Sequence, residues 1–249
     1  MYVAASTECF PDLPLADVIE RLIDLEYTSV ELDIHENGGH LKPSQIAADP
    51  DTAFAVCRQL RRLTPVAMSV DIDAEEDEYY RQFHAVCKLA NSVKVVALTV
   101  PSSELGTPFN AEVERLRKLV TIATTEGVLV GVKTETGRIS EDPDTTLVLC
   151  NNVNGLGITL DPSHFIFGPS KDDDYEKLMP LVYHVHLRDT TKESLQVRVG
   201  QGNVEYGRLV AQLNKVKYRR ALSVHITPTE DVDHFGELRK LRLLLESLL

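Results

Sequence analysis

Two short segments carry the side chains best suited to chemistry: Asp161-Pro162-Ser163-His164 and His184-Val185-His186-Leu187-Arg188-Asp189. Each sits on a run of alternating apolar residues, Leu156, Ile158 and Leu160 before the first and Val182 to Leu187 in the second. Such alternation marks a strand, so these acidic and imidazole groups stand at the C-terminal tips of strands. A carboxylate and an imidazole held together can ligate a divalent cation or move a proton on a polar small molecule.

The elements that must position these groups recur along the whole chain. Strand patterns cover 2–6, 29–34, 66–72, 93–100, 128–134, 155–161, 182–188 and 221–226. Amphipathic helical patterns cover 15–26, 44–63, 75–91, 110–126, 142–151, 173–180, 204–215 and 232–249. Strict alternation of strand and helix implies a parallel sheet. The turn after the first strand, Thr7-Glu8-Cys9-Phe10-Pro11-Asp12, lacks the glycines with which an open doubly wound sheet holds a dinucleotide, so no nucleotide cofactor is expected. Eight units in 249 residues fit a single (β/α)₈ TIM barrel spanning 1–249, with no linker-like stretch to divide it.

Parity along each strand then separates helix-facing from axis-facing positions. Val30, Leu32 and Ile34 face the helices, which leaves Glu31, Asp33 and His35 toward the axis. The same reading sends Ser69, Asp71 and Asp73 inward, then Gly131, Lys133 and Glu135, then Gly157, Thr159 and Asp161. It also sends His184, His186 and Arg188 inward, with Ser223 and His225 on the last strand. Glu31 and His184 lie deep in their strands and read as satisfied core polar groups. The first and fourth strands are poorly phased. Burying so many ionisable groups without partners would cost several kcal/mol each, so a polar cavity at the barrel mouth is expected.

Composition narrows the classes of partner. A formal charge of −12 and a pI near 5.1 argue against nucleic acid, which needs a basic face. No apolar run reaches the roughly 20 residues that cross a bilayer, and the first residues read as a strand rather than a signal peptide. Cys9, Cys57, Cys87 and Cys150 show no close-pair spacing, so free thiols and a cytoplasmic setting are expected. The C-terminal stretch 238–249 is Leu-rich on more than one side and could pack on the barrel or form a homo-oligomer interface.

Taken in order, the D-x-x-H of Asp161 to His164, the H-x-H-x-R-D of His184 to Asp189 and the G-x-G-x-V-E of Gly200 to Glu205 form a succession. With Gly155 to Phe165 around the first motif, it resembles the xylose isomerase-like TIM-barrel superfamily, the sugar (phosphate) isomerase/epimerase group. The resemblance implies a divalent metal, Mn, Mg, Co or Zn, held by Glu, Asp, His and Glu from the fifth to eighth strands. Asp161 and His186 match the aspartate and histidine. His164 matches a substrate contact, and Arg188 or Arg198 could bind an anionic part of the substrate. Lys133 and His225 stand where the two glutamates are expected, with Glu135 two residues beyond Lys133 and facing the same way.

The leading expectation is a sugar (phosphate) isomerase or epimerase acting by proton transfer on a sugar, polyol or related hydroxy-carbonyl compound. Lys133, Glu135, His164 and His225 are its candidate catalytic residues, and Asp161, His186 and His225 its candidate metal ligands. An ammonium repels a cation, so Lys133 is alternatively expected to replace the metal charge by bridging to Asp161. The competing expectation is a degenerate barrel that binds a sugar-like ligand, or pairs with an active homologue, without turnover. A Schiff base on Lys133 is a third reading, opposed by the nearby carboxylates, which favour the charged amine.

Overall fold

The computed structural model describes residues 1–170 and 174–249. Eight parallel strands close on themselves in sequence order. They are β1 (Tyr2–Ser6), β2 (Ser29–His35), β3 (Thr64–Asp71), β4 (Ala97–Val100), β5 (Leu129–Lys133), β6 (Leu156–Leu160), β7 (Val182–Leu187) and β8 (Ala221–Val224). The helices α1 (Leu15–Asp24), α2 (Pro43–Ala48), α3 (Pro50–Arg58), α4 (Glu76–Ser92), α5 (Phe109–Thr125), α6 (Pro143–Asn152), α7 (Ser163–Phe167), α8 (Tyr206–Lys215) and α9 (His234–Glu246) lie in the connections. This is the expected (β/α)₈ barrel.

The dry core lies between strands and helices, where Val30, Leu32, Ile34, Met68, Val70, Val130, Val132, Ile158, Leu160, Val185 and Leu187 are buried. The alternate positions point to the axis. There the side chains are small or polar: Ala4, Ala67, Ala97 and Gly131 leave volume, and Thr99 and Thr159 bond across it at 2.8 Å. Val3 and Ala5 belong to the core layer, which phases β1 and turns Ala4 and Ser6 inward. All four cysteines are free and buried.

Four elements differ from expectation. The helix expected over 44–63 is broken into α2 and α3 at Asp49-Pro50, because Pro50 has no N–H to continue the first helix and Asp49 caps the second by accepting from Thr52 N. The fourth strand begins at Ala97 rather than at 93, because α4 runs on to Ser92 and Lys94 turns the chain at φ +67°. The one-turn helix α7 directly after β6 is not expected from the sequence; Pro162 starts it, and it carries the buried His164. The short helix expected from 173 begins outside the described residues, and its described part is a 3₁₀ helix, Glu176–Leu181. On α9, Leu238, Leu241 and Leu245 are buried against the barrel while Leu243 stays half exposed.

Asp189 and the G-x-G segment are physically linked. The Asp189 carboxylate accepts hydrogen bonds from the N–H groups of Thr190 (3.1 Å), Gly200 (2.7 Å) and Gly202 (3.0 Å) and folds the loop after β7. A Cβ on Gly202 would lie 2.0 Å from Asp189 Oδ1 and 2.6 Å from the Thr190 carbonyl oxygen. Gly202→Ala is therefore expected to cost about 1–3 kcal/mol through overpacking, read as a lower urea midpoint at unchanged slope.

Candidate functional site

The strand tips of β5 to β8 and the turn after β1 meet in one polar mouth. At its centre is Arg188, just beyond β7. Its Nη2 donates to Asp161 Oδ2 at 3.0 Å and to His225 Nδ1 at 2.8 Å. Because a guanidinium only donates, Nδ1 of His225 is the acceptor, and the ring's Nε2–H donates to Glu8 Oε2 at 2.7 Å. A continuous chain of hydrogen bonds thus runs Glu8, His225, Arg188, Asp161. Ser163 closes its far end, donating to Asp161 Oδ1 from Oγ and from N, the latter at 3.1 Å.

Asp161 is fully buried. Burial alone would raise its pKa, but the Arg188 charge, helped by His164 and the Ser163 hydroxyl, holds the carboxyl well below its ordinary range. Glu8 behaves alike, with His225 and then Lys133 outweighing burial.

His164 accepts from the Thr136 N–H at Nδ1 (3.1 Å), so its Nε2 carries the proton and faces Asp161 Oδ2 at 3.7 Å. Burial pushes its pKa down to about 4; Asp161 opposes the shift and the Arg188 and Lys133 charges reinforce it. His164 is therefore a neutral hydrogen-bond donor near pH 7.

On the β5 side, Lys133 Nζ donates to Glu135 Oε1 at 3.1 Å and Arg138 Nε approaches Glu135 Oε2 at 3.2 Å. Burial would raise the Glu135 carboxyl, but Lys133, His164 and Arg138 keep it below the ordinary value. Lys133, Glu135 and Glu8 have side chains 17, 24 and 29 % exposed, so they form the open rim above the dry Arg188–Asp161 pair.

Beneath the mouth lies a second cluster. Glu31, fully buried, accepts from His184 Nε2 at 3.0 Å and from His186 Nε2 at 2.8 Å. The His186 ring stacks on His225 with centroids 4.4 Å apart. Burial, opposed by Glu31, brings His186 down to about 4, so the neutral ring donates its Nε2–H to an ionised Glu31. Its Nδ1 lone pair is buried and without a hydrogen-bond partner among the described residues, as is Arg188 Nε. Glu31, His184 and His186 bring one ligand atom each within 4.8 Å of one another, so the chain has a Glu/His set that could hold a metal ion. Here, however, the carboxylate and both rings already satisfy one another.

These neutral imidazoles make the fold acid-labile. His164 and His186 sit near 4 in the fold against an ordinary 6.5, so between those values the unfolded chain binds protons that the folded chain does not. Their contribution is intact above pH 6.5 and is lost as pH falls toward 4, with Asp161, Glu31 and Glu8 extending the loss below their ordinary carboxylate range. The expected result is a urea midpoint that falls from pH 6.5 to 4 and declines more gently on the alkaline side, where His35, held above its ordinary value by Asp33 against the effect of burial, loses its proton.

Several expected roles are corrected by these positions. Lys133 bonds to Glu135, and it is Arg188 that bridges to Asp161, because Arg188 rises from the neighbouring strand with a planar fork that reaches both Asp161 and His225. Asp161, His186 and His225 do not converge on a cation site: a guanidinium lies between the first and third, and His186 is turned to Glu31. A divalent ion about 4 Å from a guanidinium would be repelled by about 8 kcal/mol at an effective dielectric constant of about 20. The metal implied by the resemblance does not fit this donor set, although the unspent His186 Nδ1 is itself a competent ligand atom.

Arg198 is exposed and apart from the mouth. Its Nη2 donates to the Asp231 carbonyl at 3.0 Å, and it lines a separate cavity of about 250 Å³ with Gln196, Thr227 and His234. Glu36 and His40 hold loops rather than the mouth, Glu36 accepting from Ser44 N and Oγ, and His40 Nε2 meeting the carbonyls of Phe10 and Leu13.

Sequence reasoning does not single out Glu8, because it lies in the 3₁₀ turn Thr7–Cys9 after β1, where strand parity no longer applies.

Comparisons with known proteins agree with this architecture. The chain overlays on a D-tagatose 3-epimerase-like protein with TM-score 0.77 and 16% identity, covering 100% of this chain and 98% of that one. It is similar to the apo form of 3-keto-D-glucoside 4-epimerase from E. coli, with TM-score 0.75, 14% identity and 99% of each chain covered. A barrel protein from Mycobacterium smegmatis, solved in complex with magnesium, aligns with TM-score 0.77 and 15% identity over 100% of this chain and 98% of its own. At such identities the likeness establishes the fold. No curated protein sequence matches the chain. No helix among the described residues is long and apolar enough to cross a membrane. The family described as a xylose isomerase-like TIM barrel matches residues 19–241, and the chain belongs to it.

Proposed function

We propose that the mouth catalyses proton transfer on a small sugar-like hydroxy-carbonyl compound, an isomerisation or epimerisation. The observation that supports this reading best is the pairing at the rim: an ionised carboxylate, Glu135, stands beside the Lys133 ammonium and within the field of His164. Glu135 takes a carbon-bound proton next to the substrate carbonyl, and the C–H electron pair moves onto the carbonyl oxygen. Arg188 and Lys133 hold that oxygen as it gains charge, and the His164 Nε2–H donates to it. Return of a proton to the opposite face gives an epimer; its return to the former carbonyl carbon, with the proton of the adjacent hydroxyl passing to the first oxygen, gives the isomer. The reaction is redox-neutral. Glu8, on the other side of Arg188, is placed to serve as a second proton carrier.

The test is deuterium incorporation from ²H₂O into a panel of ketoses, aldoses and sugar-derived keto acids, followed by proton NMR. Loss of the signal of a proton next to a carbonyl is the expected result. Lys133 and His225, standing where the family resemblance puts glutamates, favour a second reading, a barrel that binds such compounds without turnover. Thermal stabilisation by a compound that shows no exchange would select it.

A further inference from the structure

We propose that the Arg188 guanidinium takes the place of a divalent cation at this mouth, so that the site polarises its substrate oxygen without a metal. This deepens the proton-transfer reading and rests on it. Three independent observations converge. First, one nitrogen, Nη2, makes short hydrogen bonds to both Asp161 Oδ2 and His225 Nδ1, the acceptor atoms that a cation would need. Second, each residue at a position expected to carry a ligating glutamate is basic and is tied to a carboxylate from elsewhere, Lys133 to Glu135 at 3.1 Å and His225 to Glu8 at 2.7 Å. Lys133 on Glu135 and Arg188 on Asp161 already set a fixed cation against two of the three carboxylates of the mouth.

Third, the fork is not spent on the protein. Arg188 is 6 % exposed, and its Nε is a buried donor with no partner among the described residues. His186 Nδ1, two residues earlier on the same face of β7, is a buried acceptor in the same condition. The guanidinium therefore keeps a donor that no protein acceptor among the described residues uses. The chemistry this selects is a hydroxy-carbonyl compound whose reacting oxygen bears or develops negative charge, as a carboxylate, enolate or enediolate does, because a planar guanidinium recognises an anionic oxygen directly.

The experiment uses the full chain and manganese alone. Protein is equilibrated with excess Mn²⁺, gel-filtered and assayed for metal, with wild type, Asp161→Asn, Glu31→Gln and Arg188→Ala in parallel. The expected result is wild type far below one ion per chain and a folded Arg188→Ala protein whose Mn²⁺ affinity is raised about tenfold or more, since a like charge has gone. Manganese that survives Asp161→Asn but is lost with Glu31→Gln lies in the deeper cluster and agrees with a mouth closed to metal. The proposal is overturned if wild type keeps about one ion per chain that Asp161→Asn abolishes, or if Arg188→Ala folds with unchanged affinity. Circular dichroism establishes the fold of each variant. No substrate enters this measurement, so its failure leaves proton transfer standing, whereas failure of deuterium exchange removes the polarised substrate oxygen and leaves only the exclusion of metal.

Discussion

Glu31→Ala is expected to lower the unfolding free energy by about 3–5 kcal/mol, the range for removing one partner of a dry ionic cluster. The carboxylate accepts from His184 and His186 at 3.0 and 2.8 Å, and all three side chains are sealed from solvent. Without it two ring N–H groups lose their acceptor in the barrel interior, where water cannot replace it. The measurement is the urea midpoint at fixed slope. A triple change to leucine at Glu31, His184 and His186 separates causes, because exchanging the whole cluster for apolar groups removes the orphaned donors along with the carboxylate. That variant is expected to recover much of the loss; an equally unstable one would assign the effect to packing alone.

The second large effect is on turnover. Glu135→Gln keeps the shape of the side chain and its contact with Lys133 while removing the base. A positioned general base contributes about 10²- to 10⁴-fold, so kcat for any compound that exchanges deuterium is expected to fall by that factor. KM should change little, because Lys133 and Arg188 still hold the oxygen. Since Glu135 lies below the ordinary carboxylate value, the acid limb of kcat in wild type is expected below pH 4.5. A rate that survives Glu135→Gln but collapses with Glu8→Gln would move the role of base across the mouth to Glu8.

The barrel was legible in the sequence because it rests on two periodicities that composition does not obscure. Alternating Val30, Leu32 and Ile34, or Leu156, Ile158 and Leu160, fixed both the strands and the face that each inward residue would use. Asp49-Pro50 and the extent of α4 set boundaries that a periodic apolar stripe runs straight through, and there local backbone chemistry prevailed. Much of the mouth is readable from parity, since Lys133, Glu135, Asp161, Arg188 and His225 all point inward; His186 shares that parity but lies deeper, on Glu31. Their pairing is not. Whether Arg188 or Lys133 reaches Asp161 depends on stagger between neighbouring strands and on side-chain length, neither of which a single strand reveals. Glu31 and His184 read as satisfied core groups in the sequence, and they are, but only closure of the barrel brings β2 and β7 within reach of each other. Glu8 falls outside the pattern because it lies in the 3₁₀ turn after β1, where strand parity no longer applies.

The most direct test of the central claim, that Arg188 organises this mouth where relatives of the fold are expected to use an ion, is a crystal structure grown with Mn²⁺ and read by anomalous scattering at the manganese edge. The account predicts the guanidinium within hydrogen-bond reach of both Asp161 and His225, with no anomalous peak between them. A peak coordinated by Asp161, His186 and His225, with Arg188 turned away, would contradict it.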